Sequence, residues 1–137
     1  TVAPGRVVAV DFSPGMLAEA RRRSLPVEFL FLDICSEPVP AGQFDRVLCF
    51  NSFPHFRDKP AALHHLAASL KPCGRLIILH LAGSAELNSF HQTVHGPVSH
   101  DFLPPAGAWP GLLEPPRLRQ LSFVDQPGLF LLQATLA

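Results

Sequence analysis

Four short apolar runs, each followed by a polar residue, organise the first 80 residues of the chain. The runs lie at residues 6–10, 27–32, 44–50 and 76–79, and they end at Asp11, Asp33, Asn51 and His80. The first run has continuous rather than alternating apolar character, which is typical of a strand buried on both faces, as in a parallel sheet. The pattern therefore predicts four strands.

Helical patterns separate some of these runs. Ser13 and Pro14 are an N-cap and a first-turn proline, and they predict a helix that ends at Arg23. A second helix is predicted from Asp58 to about Leu70, with its apolar residues at helical spacing. Alternating strands and helices favour a parallel α/β fold, in which right-handed crossovers bring all four strand ends to one edge. Open α/β sheets bind ligands at that edge.

The second half of the chain is less regular. We predict a helix over residues 86–95, a proline-rich loop or lid over 98–116, a short helix over 117–121, and a hairpin whose strands span 121–125 and 129–135. The predicted organisation is a single domain over residues 1–137, with an α/β core (6–81), a lid or substrate region (82–116) and a C-terminal hairpin (117–137).

Composition excludes some partners. The formal net charge is zero and the calculated pI is near 7, so neither nucleic acid nor an anionic membrane is an expected partner. No apolar stretch reaches the roughly 18 residues that a membrane-spanning helix needs. The three cysteines, Cys35, Cys49 and Cys73, are an odd number without metal-ligand spacing, which favours a reducing, cytoplasmic location.

The strand-end acids have a chemistry of their own. Asp11 is placed to accept hydrogen bonds from a ribose diol, or else to cap the helix that follows it. Asp33 can accept a hydrogen bond from an exocyclic amine such as adenine N6, or else it is a solvated acid. Met16 and Ile34 either sandwich an adenine ring or belong to the core.

The order of four segments resembles one protein family. VVAVDFSPGML, FLFLDI, FDRVLCFNSFPHF and LKPCGRLIILH are similar to successive motifs of class I S-adenosylmethionine-dependent methyltransferases of the type 11, ubiquinone-biosynthesis group, and the final FVDQPGLFLLQATL is similar to the antiparallel strands that end that fold. The resemblance runs from Gly5 to Ala137. It implies a Rossmann-like α/β methyltransferase fold: a mostly parallel sheet with a C-terminal antiparallel hairpin.

The resemblance also implies roles for individual residues. S-adenosylmethionine is the implied cofactor, S-adenosylhomocysteine its product, and a small molecule the methyl acceptor. The implied cofactor-binding residues are Asp11, Phe12, Met16, Asp33, Ile34 and Asn51, and the implied substrate-pocket residues are Phe53, Pro54, His91 and His95. His55 is the candidate general base, because its ordinary pKa is near neutrality; a loop histidine that only shapes the pocket is the alternative.

The chain departs from the family at its beginning. No Gly-x-Gly occurs anywhere in it, and Thr1–Gly5 resembles the end of the family's first helix. The family's first β-α unit is therefore expected to be missing, which would leave two half-sheets with unpaired edges. A partner chain could complete the sheet. We expect weak cofactor binding, or none, from these 137 residues alone.

Two smaller departures give further expectations. Cys73 replaces a family glycine, and a cysteine is expected to be tolerated there if its φ is negative. The family's helix before the final hairpin is interrupted here by Pro110, Gly111 and Pro115, which makes its packing on the sheet uncertain.

Two other functions compete with small-molecule methyl transfer. One is a methyltransferase-like binding or assembly module without catalysis. The other is a metal-dependent hydrolase, suggested by the closely spaced His91, His95 and His100. The aromatic residues of the lid, among them Phe90 and Trp109, favour a partly apolar acceptor without naming it.

Overall fold

A computed structural model describes residues 5–137. Within that range six strands and four α-helices follow one another. The strands are β1 (Val8–Asp11), β2 (Glu28–Phe31), β3 (Phe44–Phe50), β4 (Leu70–His80), β5 (Leu118–Gln126) and β6 (Leu129–Leu136). The helices are α1 (Pro14–Arg21), α2 (Lys59–Ser69), α3 (Ser84–Thr93) and α4 (Trp109–Leu113). The similarity of residues 1–5 to a helix end falls mostly outside the described residues.

The strands form two separate sheets. β1 and β2 pair in parallel, and a second sheet has the order β3-β4-β6-β5, in which β3 and β4 are parallel and the β5–β6 hairpin is antiparallel. The predicted α/β class, the antiparallel C-terminal hairpin and the division into two half-sheets are thereby confirmed.

Two arginines join the sheets at opposite ends. At the amino ends of β1 and β3, Arg6 pairs with Glu28 at 2.8 Å and donates a hydrogen bond to Gln43 at 2.9 Å. At the carboxyl ends, Arg57 forms an ion pair with Asp33. Because both ends are tied, the strands of the two sheets run in the same direction and their carboxyl ends lie on one side of the molecule.

The expectation that the first strand is buried on both faces is wrong, and neighbouring strands are exposed as well. Val10 in β1, Phe31 in β2, and Leu48 and Phe50 in β3 are exposed. Their pattern is that of interior strands, but no strand among residues 5–137 lies between β1 and β3, and no described helix covers these side chains. An apolar run therefore predicted the strand correctly and its burial incorrectly.

Side-chain caps begin the first two helices where the sequence placed them. The Ser13 hydroxyl accepts a hydrogen bond from the Met16 N–H at 3.3 Å, and the Asp58 carboxylate accepts one from Ala61 at 2.9 Å. Such caps satisfy backbone donors that have no partner inside the helix.

Two local predictions are wrong. Residues 117–121 form no helix, because Arg117 has φ +57° and β5 begins directly after it. Cys73 has φ +64°, not a negative value, and lies in the irregular pairing between β3 and β4. There the neighbouring Gly74 leaves no room for a side chain: a Cβ would approach the Lys71 carbonyl oxygen to 2.8 Å.

The main core lies on the four-stranded sheet. Phe53, Trp109 and Phe130 are fully buried and stack in a row, with ring centroids 5.3 and 5.7 Å apart. Trp109 and Leu113 belong to α4, so this five-residue helix covers the core despite its proline and glycine. Within residues 5–137, no helix is long and apolar enough to cross a membrane.

Candidate functional site

Asp11 lies at the carboxyl end of β1, beside the start of α1. Its Oδ1 accepts a hydrogen bond from the Ser13 N–H at 2.8 Å, so the carboxylate supports the turn before the helix while its second oxygen remains for a ligand. The structure thus shows the local, turn-supporting role of Asp11, and because this contact occupies one oxygen of two, the ribose-binding role stays a prediction.

Asp33 lies beyond the end of β2, next to β1 in the same sheet. Its carboxylate accepts a hydrogen bond from the Cys35 N–H at 2.9 Å and pairs with Arg57. The Cys35 N–H and the Arg57 guanidinium both hold the pKa of Asp33 below its ordinary value. The acid is therefore ionised at neutral pH, and a ligand amine would have to share it with Arg57.

The apolar residues beside these acids differ in their exposure. Phe12 and Met16 are exposed next to Asp11, whereas Ile34 is buried in the core, where its carbonyl accepts a hydrogen bond from His65. Phe12 and Met16 are thus available to pack on a ligand, whereas the side chain of Ile34 is part of the core.

A cavity of about 290 Å³ lies at the carboxyl ends of β3 and β4. Its walls come from the two strand ends, the turn of residues 53–55 and the start of the lid region. The lining residues are Asn51, Pro54, His55, His80, Leu81, Ala82, Leu87 and His91. Asn51 is placed there by a left-handed backbone, φ +49°, which asparagine tolerates better than most residues.

Three of these lining residues are histidines held by different elements. His55 Nδ1 lies 2.7 Å from an Asp101 carboxylate oxygen, and His91 in α3 is hydrogen-bonded through Nδ1 to the backbone carbonyl of the same Asp101. The rings of His55 and His91 have centroids 5.7 Å apart.

His80 is the most buried of the three, with 2% of its surface exposed. Its Nε2 has no hydrogen-bond partner among the described residues. Burial, together with the nearby His55 and His91, lowers the pKa of His80 to about 4 from an ordinary value of 6.5. The ring is therefore neutral at physiological pH, and its Nε2 is a buried atom without a partner among residues 5–137.

The sequence-predicted pocket residues do not all line the cavity. Asn51, Pro54, His55 and His91 do, whereas Phe53 is packed in the core and His95 lies beyond the end of α3 and is exposed. His80 was placed at the rim by its strand-end position but was not assigned to the site. Asp101 carries no sequence signal for its role, because its contact with His55 joins residues 46 positions apart.

Comparison with known proteins shows the family of the chain. A family model described as a methyltransferase domain matches residues 1–74, more than half of the chain. The chain belongs to the class I S-adenosylmethionine-dependent methyltransferase family. S-adenosylmethionine is the cofactor of this family, and the resemblance predicted from the four motifs is confirmed.

Characterised relatives share part of the chain. The demethylmenaquinone methyltransferase of Thermus thermophilus is 46% identical over 82 residues, which are 56% of this chain and 37% of the relative. The ubiquinone/menaquinone biosynthesis C-methyltransferase UbiE of Pseudomonas putida is 32% identical over 109 residues, 75% of this chain and 42% of the relative. The malonyl-[acyl-carrier protein] O-methyltransferase of Serratia marcescens is 37% identical over 95 residues, 66% and 36% of the two chains. The chain thus spans about two fifths of these relatives or less.

Solved structures show the same fold at low identity. A chain in the complex between the Haloferax volcanii Trm112 methyltransferase activator and a methyltransferase has a TM-score of 0.77 at 18% identity, covering 96% of this chain and 72% of that one. An S-adenosylmethionine-dependent methyltransferase from Mesorhizobium loti has a TM-score of 0.73 at 15% identity, covering 94% and 79%.

The side chains at the rim of this methyltransferase domain fit one part of the cofactor. A carboxylate with one free oxygen suits a ribose diol, and the exposed Phe12 and Met16 suit the face of an adenine ring. The methionine part would need a backbone cradle, and the chain contains no Gly-x-Gly to form the family's glycine-rich loop. Within residues 5–137, no group of three or more His, Cys, Asp or Glu residues is arranged to hold a metal.

Proposed function

We propose that this domain transfers a methyl group from S-adenosylmethionine to a small-molecule acceptor bound in the histidine-lined cavity. The observation that carries the proposal is the position of the cavity at the ends of β3 and β4, on the same side of the molecule as Asp11 and Asp33. A ligand that spans the rim from the acids to Asn51 would thus reach the cavity. The named relatives methylate quinone precursors or a malonyl-[acyl-carrier protein], which is consistent with a small or carrier-bound acceptor.

Different residues along this rim would bind different parts of the cofactor. The Asp11 carboxylate would bind the ribose hydroxyls, Phe12 and Met16 would cover the adenine, and Asp33 would accept the adenine amine. Asn51 would lie beneath the methionine end. When bound, S-adenosylmethionine supplies a methyl group already activated by a sulfonium. Catalysis then rests mainly on alignment and on the exclusion of water, to which the buried Pro54 in the cavity wall contributes.

A further strand belongs to this proposal. β1 and β3 are edge strands of the two sheets, and no described strand lies between them. Arg6 and Arg57 nevertheless hold the two sheets in parallel orientation. We propose that a parallel strand, from a longer form of the chain or from a partner chain, fills this place. Its loop would complete the binding of the methionine end. A cytoplasmic location is part of the same proposal and rests on the free thiols of Cys35, Cys49 and Cys73.

Titration with S-adenosylhomocysteine, followed by amide chemical shifts, tests the adenosine half of the site. We expect shifts at Asp11, Phe12 and Met16 with weak affinity. Asp11→Asn should weaken binding about tenfold or more, since a hydrogen bond to a charged group contributes roughly 1.5–3 kcal/mol.

The matched control is Asp45→Asn. Asp45 is an exposed carboxylate at the opposite end of the sheet, 2.9 Å from Lys71. Its substitution should leave the titration unchanged. Shifts that avoid the rim, or equal losses in the two variants, would contradict the proposed site.

A further inference from the structure

The carboxylate of Asp101 in the lid region contacts His55, the candidate general base. Asp101 lies in the loop after α3, and its side chain is about one quarter exposed while that of His55 is about two fifths exposed. Their 2.7 Å contact is short enough for a charge-assisted hydrogen bond. A carboxylate can only accept a hydrogen bond at neutral pH, so Nδ1 of His55 must carry the proton.

Two contacts from α3 hold Asp101 in place. His91 donates a hydrogen bond from Nδ1 to the Asp101 backbone carbonyl. Leu103 follows Asp101 by two residues. The side-chain amide of Asn88 forms two hydrogen bonds with its backbone, donating to the Leu103 carbonyl at 3.0 Å and accepting from the Leu103 N–H at 2.9 Å. Leu103 itself is buried. The backbone of the loop is thus held by α3 at Asp101 and again at Leu103.

The turn that carries His55 is also anchored. Lys59 of α2 donates hydrogen bonds to the carbonyls of Pro54 at 2.9 Å and Phe56 at 3.0 Å. The titratable groups near His55 are Asp101 from the lid loop, His80 from β4 and His91 from α3, and Lys59 from α2 lies near Asp101. Asp101 is the carboxylate in this set, and it contacts the ring directly.

We propose that Asp101 is a positioning residue, which holds His55 in the tautomer protonated at Nδ1 and leaves Nε2 as a proton acceptor for a protic guest in the cavity. The inference rests on the proposed function and deepens it, because it names the acceptor class: a molecule that must lose a proton when it is methylated. The neutral His80 lines the same cavity.

The proton transfer balances within these residues. The acceptor's bond to hydrogen breaks, the electron pair stays on the acceptor, and the proton bonds to Nε2 of His55. The resulting imidazolium faces the Asp101 carboxylate, which stabilises it. A neutral, fully alkylated guest has no such proton and would gain nothing from the pair.

The first test follows the His55 tautomer by ¹⁵N NMR in the ligand-free 137-residue chain. We expect the form protonated at Nδ1. Asp101→Ala should shift the ring towards the other tautomer, Asp101→Glu should restore the first form, and Glu114→Gln, which removes an exposed carboxylate elsewhere in the lid region, should change nothing. An unaltered tautomer in Asp101→Ala, with the fold intact by amide shifts, would overturn the inference.

The second test uses 4-nitrophenol as the probe, because its phenolate absorbs visible light. At a pH where the free probe is mainly protonated, the chain should increase the phenolate fraction, and both Asp101→Ala and His55→Gln should reduce this increase about tenfold or more. The methyl ether 4-nitroanisole is the control ligand and should show no spectral change. Equal phenolate formation with the three proteins would refute the assignment.

The two proposals fail separately. If Asp101→Ala removes phenolate formation while S-adenosylhomocysteine leaves Asp11 and Met16 unperturbed, the base is supported and the cofactor site is wrong. If the cofactor titration succeeds and the tautomer and probe do not respond to Asp101, the positioning role is wrong and the cofactor site stands.

Discussion

At the scale of residues, His80 shows how burial sets chemistry. It ends an apolar strand, so its backbone is placed by the same pattern that places the core. Its ring then lies between the cavity and Phe130, whose ring centroid is 6.2 Å away. Desolvation disfavours the charged imidazolium, and the two neighbouring histidines add repulsion when they are protonated. The site therefore contains a histidine that stays neutral beside one that has a carboxylate partner.

The lowered pKa of His80 predicts a dependence of stability on pH. Since the folded pKa, about 4, is below the ordinary 6.5, the unfolded chain takes up the proton first as the pH falls. The contribution of His80 is fully present above pH 6.5 and is lost as the pH falls towards 4, with a total on the order of 3 kcal/mol. Urea unfolding across this window should show the decline.

Two variants isolate the contribution. His80→Phe should decline less between the two pH values than the parent chain does, because it has no imidazole to protonate. His95→Gln, at an exposed position, should decline as the parent does. Parallel curves for the parent and His80→Phe would show that His80 is not the group responsible.

At the scale of elements, the start of α3 shows how the lid is joined to the hairpin. The Glu86 carboxylate accepts hydrogen bonds from the N–H of Gly83 at 2.9 Å and of Gly128 at 2.7 Å, and these donors lower its pKa. Asp125 in β5 accepts hydrogen bonds from the N–H and the hydroxyl of Ser84, at 2.8 and 2.5 Å. Acids at a helix N-terminus also complement its dipole.

Gly83 makes this junction sensitive to size. A Cβ at residue 83 would lie 2.4 Å from the Gln126 carbonyl oxygen, so Gly83→Ala should force the backbones apart and destabilise the chain by about 1–3 kcal/mol. Gly107→Ala is the matched control, since a Cβ there meets nothing within 4 Å. Thermal unfolding of the two variants provides the comparison, and equal melting temperatures would contradict the tight junction.

Element prediction from the sequence succeeded where local signals were strong and failed where tertiary pairing decided. Ser13 and Asp58 marked helix starts that the structure contains, and Pro127 with Gly128 marked the hairpin turn. The segment after Pro116 became a strand rather than a helix, because pairing with β6 satisfies most of its backbone, with one irregularity between Gln120 and Ser122. Cys73 adopts a left-handed backbone because the irregular pairing of β3 with β4 demands it.

At the scale of the whole molecule, the division into two sheets is the dominant feature. β1 and β3 have the apolar sequences of interior strands, yet each is an edge of its sheet within residues 5–137. Exposed apolar edges favour pairing with other chains. The same edges therefore explain both the place proposed for an additional strand and a tendency of the chain to associate.

We predict that the 137-residue chain associates in a concentration-dependent manner, and that Leu48→Lys on β3 weakens this association several-fold, because edge lysines oppose strand pairing. Analytical ultracentrifugation would measure it. Leu121→Lys is the control, since Leu121 is also exposed but lies on β5 at the far side of the same sheet. A monomeric parent chain, or equal effects of the two lysines, would argue against β3 as the associating edge.

The sequence by itself determined the α/β class, the strand ends that carry Asp11, Asp33, Asn51 and His80, and the family, because these follow from local hydrophobic patterns and their order. Only the tertiary structure decided which partners those side chains have. Arg57 forms an ion pair with Asp33. Asp101 contacts His55, from which it is 46 positions apart in the sequence, and burial keeps His80 neutral. Such contacts depend on how distant segments meet in space, and no pattern within a single element encodes them.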